Sequence, residues 1–183
     1  MNARSLRHFL KSGGVIAYPT ESIFGLGCDP TNRQAVKRIL RIKGRPQRKG
    51  LIIVADRFSQ LERFVAPISA SQLQTMQDSW GNPQRPYTWI VPAAKHCPKW
   101  LTGHHQSIAI RISSHPYTAK LCKDTGMALV STSANHSGHQ AAKTDQQCRK
   151  LFGRQIQVLS GKTAGAKKPS TIQDLMTGKI LRK

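Results

Sequence analysis

The chain has 183 residues, with 29 Lys and Arg against 8 Asp and Glu, and a formal net charge of +21. That length suits a single domain, residues 1–183, that buries its core without staples. No apolar run approaches the ~18 residues of a membrane span, and Met1–Ser12 lacks the apolar centre of a signal peptide.

So large an excess of cations repels itself and points to a polyanionic partner, nucleic acid before a membrane surface. Glu21 and Glu62 are the only glutamates, which leaves little for paired-carboxylate chemistry or a carboxylate metal cage. Cys28, Cys97, Cys122 and Cys148 form no CxxC pair, and neither His104-His105 nor His136/His139 has metal-motif spacing. No metal site is expected, and the thiols fit a reduced, cytoplasmic setting.

In chain order, Ser5–Ser12 predicts a short helix ended by Gly13-Gly14, and Val15–Tyr18 a strand stopped by Pro19. Thr31 with Gln34 three residues on reads as a capping box. Ala35, Val36, Ile39, Leu40 and Ile42 then form a helical apolar face ended by Gly44. On the same helix Arg33, Lys37 and Arg41 recur at four-residue spacing as an outward basic stripe. Lys43–Gly50 crowds four cations, two glycines and a proline, with no acid, against the apolar strand Leu51–Ala55. Helices are expected over Ser59–Val65 and Ser69–Trp80, then a turn-rich break from Gly81 to Pro86.

Thr88–Val91 and Ser107–Ile112 read as strands, the second with Ile108, Ile110 and Ile112 on one face and Ala109 and Arg111 on the other. A cation inside such a strand needs a carboxylate or phosphate partner. Pro116 opens a helix through Asp124, with Gly126 after it. Met127–Val130 is a strand running into Ser131-Thr-Ser-Ala-Asn135, and Thr144 caps a helix through Phe152. Ile156–Leu159, Thr171–Leu175 and Lys179–Leu181 complete a strand-rich tail. Strands alternating with helices predict an α/β protein with a twisted, mixed open sheet.

Ser160-Gly-Lys-Thr163 is not a P-loop, because the required earlier glycine position is Ile156. Ser133 is not in a Gly-x-Ser-x-Gly elbow, which argues against a hydrolase triad. What remains are polar clusters at strand ends, where ligands of open α/β sheets gather: Pro19–Ser22, Arg111, and Ser131–Asn135.

Taken in order, Tyr18-Pro-Thr-Glu-Ser-Ile-Phe-Gly-Leu-Gly-Cys-Asp-Pro30, Lys43-Gly-Arg-Pro46, Lys49-Gly-Leu-Ile52, Ser107-Ile-Ala-Ile-Arg-Ile112, Ser131-Thr-Ser-Ala-Asn135 and Pro169-Ser-Thr-Ile172 resemble the YrdC/TsaC threonylcarbamoyl-AMP synthases. The resemblance implies a YrdC-like fold around a basic concave cavity. It implies a nucleotidyltransferase that joins L-threonine, bicarbonate or CO2, and ATP into threonylcarbamoyl-AMP and pyrophosphate, for N6-threonylcarbamoylation of tRNA adenosine 37.

Carried over residue by residue, Lys43 and Arg45 are the catalytic clamp and bind ATP with Lys49, Ser133 and Asn135. Thr20, Arg111, Ser131 and Ser170 hold threonine, and Thr88 belongs to a cavity wall. Mg2+ would be held mainly by the ATP phosphates. tRNA or other RNA and the threonylcarbamoyl-transfer proteins are the implied partners. The competing expectation from charge is a non-catalytic RNA-binding or ribosome-maturation factor. Arg33, Lys37, Arg41, Lys179, Arg182 and Lys183 are its candidate contacts.

Overall fold

Period-two alternation sorts the strand residues onto the two faces of one sheet. The computed structural model describes residues 1–183. In chain order they form α1 (Ala3–Lys11), β1 (Ile16–Pro19), β2 (Phe24–Gly27), α2 (Arg33–Lys43), β3 (Ile52–Ala55), α3 (Ala70–Ser79), β4 (Tyr87–Pro92) and α4 (Lys99–Thr102). Then come β5 (Ser107–Ile112), α5 (Pro116–Thr125), β6 (Leu129–Ser133), α6 (Asp145–Phe152), β7 (Gln157–Val158), β8 (Thr171–Asp174) and β9 (Ile180–Arg182). The nine strands lie in the order β7-β1-β2-β6-β3-β5-β4-β8-β9. Pairs β1/β7, β3/β5 and β4/β8 are parallel and the rest antiparallel, so the sheet is mixed. No helix is long and apolar enough to cross a membrane.

One face carries Val15, Ala17, Phe24, Leu26, Ile53, Ala55 and Val130, packed against Val36 and Ile39 of α2, Met76 of α3, Leu101 of α4, and Cys148 and Phe152 of α6. Each fully buried Val, Leu, Ile, Phe or Met side chain among them contributes about 1.5–3 kcal/mol. The alternate residues Ile16, Tyr18, Val54 and Leu129 face Leu6 and Leu10 of α1 and Leu121 and Cys122 of α5. This second cover is much smaller than the first. The stretch of that face which α1 and α5 leave uncovered is the floor of the site.

Four local expectations differ from the structure. Asn32, not Thr31, caps α2 by accepting the Ala35 amide at 3.0 Å. Asp29, held by Lys11 at 2.8 Å, has already taken the Thr31 amide and hydroxyl, which moves the helix start by one residue. Ser59–Val65 is two 3₁₀ turns, Phe58–Gln60 and Glu62–Phe64, rather than a helix. Backbone bonds from Ala66 to Pro92 and from Ala94 to Phe64 draw the segment out alongside β4. β2 was not expected as a strand, because Gly25 and Gly27 interrupt its apolar pattern. Finally, the short helix α4 has no counterpart in the sequence reading.

The β2 glycines have a packing cause: the Tyr18 ring covers them. A Cβ on Gly27 would lie 2.7 Å from Tyr18 Cε1 and 2.8 Å from the Val130 carbonyl oxygen. Gly27→Ala is therefore expected to lower stability by about 1–3 kcal/mol, as overpacking does. Urea denaturation reads this as a lower midpoint at unchanged slope, and an unchanged midpoint would mean the sheet yields freely here.

Candidate active site

The uncovered floor is read directly from the strand register. Ile52 pairs with both Ala109 and Ser131, Ala109 with Ile90, and Ile90 with Asp174. These residues, with Gly25, Arg111, Ser133 and Ile172, line one cavity of about 740 Å³. Loops at the strand ends raise its walls: Thr20–Ile23, Arg45–Leu51, Leu101–His105, Asn135–Ala141 and Pro169–Ser170. Its charged lining is Arg45, Lys49, Arg111 and Arg182 against Asp174 alone. The Asp174 Oδ1 is itself tied to the amides of Met176 and Thr177, so it closes its own turn.

Of the residues singled out in the sequence, Thr20, Arg45, Lys49, Arg111, Ser131, Ser133, Asn135 and Ser170 come together on this lining. Lys43 and Thr88 do not. Lys43 is 3% exposed and lies behind the wall. Its Nζ donates to the Ser133 carbonyl, to the Asn135 carbonyl at 2.9 Å and to Asn135 Oδ1 at 3.0 Å, and lies 3.4 Å from Ser133 Oγ. Its charge thus sits one hydroxyl away from the cavity. Burial, with help from the nearby Arg45 charge, pulls the Lys43 ammonium down to a pKa of about 8. Thr88 is fully buried beside the site, paired with Ile172 across the sheet and with its hydroxyl 2.8 Å from that of Ser170.

Arg111 has the carboxylate that its strand position demanded. Its Nη1 lies 3.5 Å from Glu21 Oε2, and both residues are buried. The other Glu21 oxygen accepts the Ser113 hydroxyl at 2.8 Å. Burial pushes the Glu21 carboxyl upward, yet Arg111, a backbone amide, Ser113 and His115 outweigh it and hold it below its ordinary range. The ion pair is loose, and Arg111 Nε has no partner.

Sequence reasoning took Arg182 for a surface tail cation. It is exposed and also lines the cavity, donating from Nε to the Ser170 carbonyl at 2.8 Å and from Nη2 to Ser170 Oγ at 2.9 Å. Burial first, and then the nearby Arg111 charge, lower its pKa. Two guanidiniums thus share one end of the cavity with a single carboxylate, Glu21, which leaves a net positive charge for an anionic ligand. At the opposite wall Arg45 donates to the Gly50 carbonyl at 3.0 Å, while its Nε is buried and unpartnered. Thr20 closes its own turn by donating to the Ile23 carbonyl at 2.7 Å.

No three His, Cys, Asp or Glu side chains cluster to hold a metal. The donor set suits anions: cations, hydroxyls and amides around a floor of small residues. Such a site can hold two negatively charged reactants side by side and stabilise charge that develops between them.

Residues 8–183 match the family model Sua5_yciO_yrdC, described as "Telomere recombination". A threonylcarbamoyl-AMP synthase of Methylobacillus flagellatus is 60% identical over 182 residues, covering 100% of this chain and 99% of that protein. One from Thiobacillus denitrificans is 49% identical over 177 residues, covering 97% and 93%. The crystal structure of P. abyssi Sua5 complexed with L-threonine superposes with a TM-score of 0.87 at 28% identity. That match covers 97% of this chain and 52% of the Sua5 chain, so this chain spans about half the length of that relative.

Proposed function

We propose, for a chain that belongs to the Sua5/YciO/YrdC family, that it is a threonylcarbamoyl-AMP synthase. The observation that carries this reading is the 60% identity to a synthase of that name over the full length of both chains. The reaction is nucleotidyl transfer. The threonine amine adds to CO2 with release of a proton, or condenses with bicarbonate with loss of water, to form a carbamate. A carbamate oxygen then attacks the α-phosphorus of ATP, and pyrophosphate leaves. The nucleophile comes from the substrate, so no serine or cysteine attack is needed.

We assign the threonine carboxylate to Arg111, with Thr20, Ser131 and Ser170 around the rest of the amino acid. The phosphates fall to Arg45, Lys49, Ser133 and Asn135. Lys43 acts from behind, holding the Ser133–Asn135 loop and placing its charge behind the Ser133 hydroxyl. Mg2+ fits this donor set as an ion carried by the triphosphate and water, because Asp174, the lone carboxylate on the lining, is committed to its turn. In this reading the enzyme is cytoplasmic and its product serves tRNA modification. Arg33, Lys37 and Arg41, all exposed on α2, are the candidate RNA contacts, and such binding weakens steeply with salt.

The test is pyrophosphate release from ATP. Release is expected only when threonine and bicarbonate are both present, and threonine-independent or absent release would contradict the synthase. A pH dependence follows from Lys43. Its proton is lost from the free protein around pH 8, whereas phosphate nearby favours the charged form, so ATP binding above that pH takes up a proton. ATP affinity is expected to fall above about pH 8, approaching tenfold per pH unit. Lys43→Arg, always charged, should flatten this profile, and an identical profile in both proteins would place the titration elsewhere.

A further inference from the structure

The Ser160–Thr163 stretch that resembles a phosphate loop has no part in the site above, and neither has the buried histidine bonded to it, His115. Residues 160–166 form neither helix nor strand, and they run along the Pro19–Glu21 stretch at the end of β1. Small residues permit the close fit: a Cβ on Gly161 would lie 2.8 Å from Pro19 Cγ. The Ala164 amide donates to the Thr20 carbonyl at 3.3 Å, and the Ala166 amide to the Glu21 carbonyl at 2.9 Å. From α5, the Thr118 hydroxyl donates to the Pro19 carbonyl at 2.7 Å. Three consecutive carbonyls are thus each held by a donor from elsewhere in the chain, which fixes where Thr20 and Glu21 stand.

His115, at the N-cap position of α5, fastens this segment to the body of the fold. Its Nε2 lies 3.0 Å from the Lys162 carbonyl. A carbonyl only accepts, so Nε2 carries the proton and donates it. The His115 amide donates to Ser113 Oγ at 3.2 Å, and that hydroxyl donates to Glu21 Oε1 at 2.8 Å. His115 therefore meets both supports of the stretch. Its ring holds the segment that binds the Thr20 and Glu21 carbonyls, and its backbone holds the serine that binds the Glu21 carboxylate.

We propose that His115 is a positioning residue for the amino-acid end of the cavity. It is not on the cavity lining. Its imidazole keeps residues 160–166 in place, they keep Thr20 and Glu21 in place, and Glu21 orients Arg111. This rests on the assignment of threonine to Thr20 and Arg111. Arg45, Lys49, Ser133 and Asn135 stand on loops that bond neither to His115 nor to residues 160–166, so the effect falls on one substrate and spares the nucleotide.

Titration calorimetry with threonine and, separately, with ATP tests this, together with amide hydrogen exchange over residues 160–166 and 19–23. His115→Phe keeps a ring and removes the donor. It is expected to weaken threonine binding about fivefold, the worth of one hydrogen bond, with ATP binding within about twofold of wild type. Exchange should speed up in both segments. His115→Asn, smaller and too short to reach Lys162, should behave in the same way. His115→Gln, whose amide replaces Nε2, should restore threonine binding to within about twofold and slow the exchange again. Lys162→Ala should bind threonine as wild type does, because the tie runs through its carbonyl.

Wild-type threonine affinity in His115→Phe and His115→Asn, or equal weakening of threonine and ATP binding, would overturn the assignment. So would His115→Gln as weak as His115→Phe, or exchange that none of the variants alters. Failure of the synthase reading would show separately, as wild-type protein that binds no threonine while exchange still responds to His115→Phe.

Discussion

Replacing Arg111 by alanine is expected to abolish threonine binding while ATP binding stays within a few-fold of wild type. The guanidinium faces the cavity floor, has an unpartnered Nε, and is only loosely paired with Glu21 at 3.5 Å. A substrate carboxylate can therefore complete its coordination. Truncating one partner of a buried charge pair costs at least about 2 kcal/mol, or about 30-fold in affinity. The same variant should lose roughly 3 kcal/mol of stability, because Glu21 remains buried without its cation. The double variant Glu21→Gln/Arg111→Ala separates the two effects. It should recover most of the stability and none of the threonine binding. Calorimetric titration with each substrate reads the outcome, and equal loss of ATP and threonine binding in the folded double variant would make Arg111 a scaffold for the whole cavity.

Lys43→Met is expected to lower turnover about 100- to 1,000-fold, the scale of removing one preorganised charged donor at a developing anion. The Nζ holds both backbone and side-chain acceptors of the Ser133–Asn135 loop and lies 3.4 Å behind the Ser133 hydroxyl. Stability should change far less than activity. Burial already disfavours the Lys43 charge, and the loop keeps the Ser133–Asn135 hydrogen bond at 2.6 Å and the Asn135 Nδ2 bonds to the carbonyls of His136 and His139. Single-turnover assays alongside urea melts measure both. A variant that keeps more than a tenth of wild-type turnover would relegate Lys43 to holding the loop.

Apolar runs made β3 and β5 legible in the sequence, and the alternation in β5 already placed Arg111 on the face that the structure leaves open. β2 was hidden, because the space beneath Tyr18 is compatible only with glycine at Gly27, and glycine carries no strand signal. Strong local acceptors also misled the reading: Asp29 took Thr31 from its capping role, and Asn32 replaced it.

In the site, the strand-end clusters announced themselves through residue type, and the resemblance assigned them. Two members could be placed only by the fold. Glu21 lay in a visible polar cluster, but its pairing with Arg111, across ninety residues of chain, needed the hairpin of β1 and β2 laid beside β6. Arg182 read as a tail cation, because nothing in the sequence shows that β8 and β9 fold it back onto Ser170.

The most direct measurement is mass spectrometry of the nucleotide product after incubation with ATP, L-threonine and isotopically labelled bicarbonate. The expected product is threonylcarbamoyl-AMP with the bicarbonate label in its carbamoyl group, formed with stoichiometric pyrophosphate and absent when threonine is omitted. AMP or ADP without a labelled adduct, from a protein that still binds ATP, would contradict the synthase.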